Sequence, residues 1–197
     1  METFVRPPES PAEYAADGVR LLGVLSIILA LFVFGGPAIP AFSLVIVGQM
    51  VPRALGLRPV FDIGIGVVLL VAGWSNVLNL YTTVPGWDLL VHFFANGVVA
   101  AMLYLLYARF TDPNGPHAVR TSPNVVILTV AFGFSAGVIW EMGEWIGPTL
   151  IDPSIFVAYN DTIGDLTAGG LGSLLAGIAM TFVSAPARSR SRRAPVT

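Results

Sequence analysis

The sequence predicts an all-α membrane protein of six transmembrane helices, with N and C termini cytoplasmic. Three observations carry that expectation. Of 197 residues, 55% are hydrophobic and only 11% charged, whereas a soluble domain carries about a quarter charged residues. Six stretches approach the roughly 20 apolar residues that a helix needs to cross a bilayer core of about 30 Å. All ten basic residues are arginines, and a six-helix threading puts every one of them on the same side, which the charge rule makes cytoplasmic.

The spans follow in order. The first covers about Val19–Phe34 and stops at the helix-breaking Gly35-Gly36-Pro37. No small-x-small cleavage site follows it, so it reads as an uncleaved helix and not as a signal peptide. The second, about Ile39–Leu57, contains Pro52, which predicts a kink or an early end. The third runs from about Phe61 to Tyr81, the fourth from Asp88 to Tyr107, the fifth from Val125 to Ile146, and the sixth from Asp161 to Val183. Residues 1–18 form a polar cytoplasmic tail, residues 19–183 the membrane domain, and residues 184–197 a basic, disordered cytoplasmic tail.

The arginines bound these spans on one side: Arg6 and Arg20, Arg53 and Arg58, Arg109 and Arg120, then Arg188, Arg190, Arg192 and Arg193. The remaining connections, "GGPAIP", "TTVPGW" and "GPTLIDPSIFVAY", contain none. The absence of cysteine excludes disulfides and thiol chemistry, and the absence of lysine excludes Schiff-base catalysis. Nothing in the chain points to a nucleic-acid partner. The expected partners are membrane lipids, with glycine-rich faces that permit a homo-oligomer or a membrane complex.

The acids separate differently. Asp88, Glu141, Glu144, Asp152, Asp161 and Asp165 all fall on or near the arginine-free side, and His92 joins them. Asp88, His92 and Asn96 follow an i, i+4, i+8 stripe, Asp161 and Asp165 repeat the i+4 step, and Glu141 and Glu144 are i, i+3 neighbours. At about 1.5 Å rise per residue, His92, Asp165 and Glu141 reach a similar depth, about 6 Å inside their helix ends. The acid stripes continue into Gly133 and Gly137 on the fifth span and Gly169 and Ser173 on the sixth. Small residues mark close helix approach, so these stripes face the bundle interior. Asn76 and Asn79 add neutral oxygens nearby.

Unpaired carboxylates are expensive at membrane depth, about 2.5–3.5 kcal/mol each on the mildest scale. Protons, cations or a cationic substrate must offset them. A divalent metal cation suits these ligands, with His92, Glu141, Asp165 and Asp161 as the metal set. Blander readings stand beside this one. Asp88 and Asp161 open helices and read equally as N-caps. Glu144 reads as a headgroup contact, and the tryptophans as interface anchors.

"WDLLVHFFANGVVAAML", "GFSAGVIWEMGEW" and "YNDTIGDLTAGGLGSLLAG" together resemble the motifs of the VanZ-like membrane proteins and their YjdF-like relatives. The resemblance spans about Trp87–Gly177. It implies a small multi-pass protein of the bacterial cytoplasmic membrane, with Asp88, His92, Glu141, Glu144, Asp161 and Asp165 as its motif residues. Leu89 replaces the lysine that usually follows Asp88, and Gly169 stands where some relatives carry Asp or Asn.

Three functions fit this reading. The first is a metal-dependent hydrolase or transferase on a lipid-linked or envelope substrate, with Glu144 or Asp88 as catalytic base and "GPTLIDPSIFVAY" as a wall for acyl chains. The second is a cation or proton carrier. The third is an accessory subunit in which an ion clips helices together.

Overall fold

The computed structural model describes residues 7–35, 38–111, 122–151 and 158–184. Within them the chain is helical: α1 (Pro11–Phe34), α2 (Ala38–Leu55), α3 (Pro59–Val77), a short α4 (Leu80–Thr83), α5 (Trp87–Thr111), α6 (Ser122–Ile146) with a π-helical turn (Gly147–Ile151), and α7 (Tyr159–Ser184). Residues 1–6, 36–37, 112–121, 152–157 and the basic tail from residue 185 onward lie outside the described residues, with Asp152 and six of the ten arginines: Arg6, Arg120, Arg188, Arg190, Arg192 and Arg193.

Helix α1 starts well ahead of its apolar run. Ser10 caps it by accepting from the Glu13 N–H, and Pro11 takes the first helical position, where its missing N–H is harmless. Residues 11–18, expected as tail, are therefore helix. Helix α2 also departs from expectation. Pro52 falls in its last turn and does not stop it; the helix closes at Gly56, whose φ of 63° suits glycine. Its 18 residues span about 27 Å, and its apolar part, Ala41–Leu55, includes Gln49 and Arg53. Among the described residues, five helices are long and apolar enough to cross a membrane: α1, α3, α5, α6 and α7. The second of the six expected spans is thus a shorter apolar helix. The third expected span divides, because Asn79 turns left-handed at φ 54° and starts α4; asparagine tolerates that conformation better than most residues.

The helices are inside-out relative to a soluble protein. On α1 the buried residues are Ala16, Arg20, Gly23, Ser26 and Ala30, while Leu21, Leu25, Ile28 and Phe32 face outward. Small and polar residues inside, with large apolar ones outside, suit a lipid environment. Helices α5, α6 and α7 pack into one unit and α1, α2 and α3 into a second, joined by contact between α3 and α5. Apolar clusters fill both: Ala30, Ala38, Phe42 and Val45 in one, Tyr104, Ala108, Val125 and Met180 in the other.

The described arginines gather at one end. Arg20 pairs with Asp17 and with buried Asp62, and its Nε donates to the Gln49 carbonyl at 3.2 Å. Arg109 donates to the Leu55 carbonyl at 3.1 Å, tying the end of α5 to the end of α2. The acids of α5, α6 and α7 lie at the opposite ends of their helices.

Candidate metal centre

The site is built where α5 begins, α6 ends and α7 begins. The turn before α5 contains Gly86 at φ 75°, and Trp87 pins the new helix to α3 by donating from Nε1 to Ser75 Oγ at 2.8 Å. One turn in, His92 Nε2 lies 3.4 Å from Asp88 Oδ1. From α7, Asp165 brings Oδ2 to 4.0 Å from the same Nε2, too far for a hydrogen bond. From α6 come Glu141, which is buried, and Glu144, half-buried and held by a 2.8 Å hydrogen bond from Trp140 Nε1.

Close helix approach makes this convergence possible. A Cβ on Gly172 would collide with the Phe93 carbonyl oxygen, and one on Gly97 would lie 2.9 Å from the Gly172 carbonyl oxygen. Helices α5 and α7 therefore touch backbone to backbone. A side chain on Gly133 would strike Ser173, and one on Gly169 would strike the Asn96 amide; Gly137 also faces Asn96. The small-residue stripes predicted to face inward do so.

Asp165 is 1% exposed and Glu141 8% exposed, yet none of their four carboxylate oxygens has a hydrogen-bond partner. The Thr162 hydroxyl comes near Glu141 without closing a bond of ordinary geometry. Buried carboxylates without donors are rare, because the lost hydration has no replacement. Ligand atoms of Asp88, His92 and Asp165 lie within 4.8 Å of one another, and so do those of Glu141, Glu144 and Asp165. Ligands bonded to one ion at about 2.0–2.3 Å stand up to about 4.6 Å apart, so either trio closes on a cation with a small contraction.

Of the residues expected at the site, five converge: Asp88, His92, Glu141, Glu144 and Asp165. Asp161 does not. It is exposed and belongs to neither trio, although it stands one turn before Asp165. Asp88 and Asp161 both lie inside the first turns of their helices, which begin at Trp87 and Tyr159. Asn79 is exposed in its turn, whereas Asn76 lines a cavity beside the site.

That cavity, about 210 Å³, was not legible from the sequence. Val45, Leu69, Val91 and Val99 give it apolar walls, and His92, Tyr81 and Asn96 supply polar atoms. Tyr81 donates to the Ala72 carbonyl at 3.0 Å; burial, with the negative charges of Asp88 and Glu144 nearby, pushes its phenol well above the usual value. The Trp140–Glu144 hydrogen bond was also missed, although its i, i+4 spacing was available.

No curated protein and no solved structure matches the chain. One family does, that of the predicted membrane proteins designated DUF2238, whose pattern matches residues 19–186. With five apolar helices long enough to cross a bilayer and a match over most of its length, the chain belongs to this family of membrane proteins.

Proposed function

We propose that the protein binds a divalent cation at the outer ends of α5, α6 and α7 and uses it in a hydrolase or transferase reaction on a lipid-linked substrate. The observation that carries the binding is the pair of buried carboxylates, Asp165 and Glu141, whose four oxygens are unpartnered and which bring ligand atoms within 4.8 Å of each other. His92 joins them as the nitrogen ligand. The apolar cavity next to His92 supports a substrate with an alkyl part, whose polar head would meet the acids.

Held by His92, Glu141 and Asp165, a cation would supply charge neutralisation to a phosphoryl group. Glu144, half-buried at the rim and oriented by Trp140, takes the proton of the attacking water. The phosphorus–oxygen bond to the lipid breaks as the new one forms, and the departing oxygen is protonated by solvent. A carrier fits less well. Toward the arginine end the same three helices are filled by Tyr104, Val125 and Met180, and the Thr129 hydroxyl is spent on the Val125 carbonyl.

The same proposal places the protein in a bacterial cytoplasmic membrane, in agreement with the VanZ-like and YjdF-like motif resemblance. It has α2 crossing as a short sixth span and both termini on the arginine side. A cysteine at Thr83 should then react with an impermeant maleimide from outside intact cells while one at Ser189 stays unlabelled. Labelling of both would overturn the topology.

The reaction is tested with purified protein in proteoliposomes containing a polyprenyl diphosphate. Phosphate release should require Mn²⁺ or Zn²⁺ and fall at least 100-fold in Glu144→Gln, through loss of a side chain that serves both the cation and the attacking water. Protein that binds the metal but turns over no lipid-linked phosphate or ester would leave a structural ion as the surviving role.

A further inference from the structure

We infer that the centre holds two divalent cations bridged by Asp165, and not one. This rests on the cation-binding reading above and goes further by fixing the number of ions and the ligands of each. The five converging side chains do not form one five-ligand cage. Among the described residues they fall into two trios, Asp88–His92–Asp165 and Glu141–Glu144–Asp165, and only Asp165 belongs to both. A carboxylate has two oxygens and bridges two metals naturally; in two-metal sites the ions stand about 3.5–4 Å apart. Both oxygens of Asp165 are buried and without hydrogen-bond partners, so each is free for a separate ion.

Charge favours the same count. The two trios hold four carboxylates, Asp88, Glu141, Glu144 and Asp165, together with a histidine that ligates as the neutral imidazole. One divalent ion would leave two negative charges in a region of low dielectric, whereas two ions balance all four. The described arginines cannot make up the difference, since Arg20, Arg53, Arg58 and Arg109 all lie at the far end of the bundle. Each trio also pairs ligands from one helix with Asp165 from α7, so the first ion would join α5 to α7 and the second α6 to α7. Carboxylates and histidines projecting inward from neighbouring helices are the usual way in which a bundle builds a dinuclear site.

The test uses the full-length protein in detergent, stripped with a chelator and then dialysed to equilibrium against Mn²⁺ or, separately, Zn²⁺. Wild type should saturate at two ions per chain. At two equivalents of Mn²⁺, coupling between the ions should cut the six-line resonance to less than half that of two isolated ions. His92→Ala should retain only the α6–α7 ion and Glu144→Gln only the α5–α7 ion, each saturating at one equivalent with the isolated six-line spectrum restored. Asp88→Asn and Glu141→Gln provide a second variant for each trio, and melting in chelator identifies any variant that fails to fold. Saturation of wild type at one ion, with His92→Ala and Glu144→Gln both empty, would overturn the dinuclear assignment and leave a single-ion site standing. Two ions retained in all four variants would overturn the ligand assignment. No binding of either metal by folded wild type would remove the cation reading as well.

Discussion

Gly172→Ala is expected to destabilise the bundle by about 3 kcal/mol, at the upper end of the overpacking range, and to abolish cation binding with it. The added methyl would meet the Phe93 carbonyl oxygen, which is α5 backbone and has no rotamer to change. Relief requires α5 and α7 to separate, and this is the most extensive contact among the described helices. Separation also draws Asp165 away from His92, which lies next to Phe93 in the chain. The control is Gly143→Ala on α6, where a Cβ meets nothing within 4 Å; helix propensity alone predicts no loss and a gain of up to about 1 kcal/mol. Melting temperatures of the two variants in the same detergent check the contrast. Equal melting would mean that α5 and α7 are not in backbone contact.

Asp165→Asn is expected to abolish the stabilisation that a cation gives. A ligand that binds only the folded chain adds about 2.7 kcal/mol at a hundredfold excess over its dissociation constant. Wild type should therefore melt several degrees higher in saturating Mn²⁺ than in chelator, and Asp165→Asn should melt at one temperature in both. In chelator the variant should be no less stable than wild type, because it exchanges a carboxylate that is 1% exposed and has no hydrogen-bond donor for a neutral amide. A purely structural aspartate would behave in the opposite way, losing stability in chelator when replaced.

The site was more legible in the sequence than the details of the helices that carry it. Helical spacing gives the angle of a residue about its axis, so the stripes of Asp88 and His92, of Asp165, and of Gly133 and Gly137 could be oriented inward from composition alone. Spacing gives no distance between helices. The division into two trios and the cavity beside His92 therefore needed coordinates, and so did the exposure of Asp161, which shares the Asp165 stripe but sits in the opening turn of α7. Helix ends were misplaced where local chemistry outweighs hydropathy. Ser10 and Pro11 start α1 before its apolar run, and left-handed Asn79 breaks the third span ahead of its expected end at Tyr81. Pro52 predicts a kink or an early end, and α2 closes at Leu55, within the turn that Pro52 begins.

Asp165, His92 and Glu141 should share cation-binding space between three helices. Anomalous diffraction from crystals of the full-length protein grown with Mn²⁺ tests this most directly. Strong anomalous density is expected within about 2.3 Å of Asp165 carboxylate oxygens, between His92 on one side and Glu141 on the other. Well-ordered side chains at saturating Mn²⁺ with no anomalous density among them, or with Glu141 and Asp165 turned toward lipid, would contradict it.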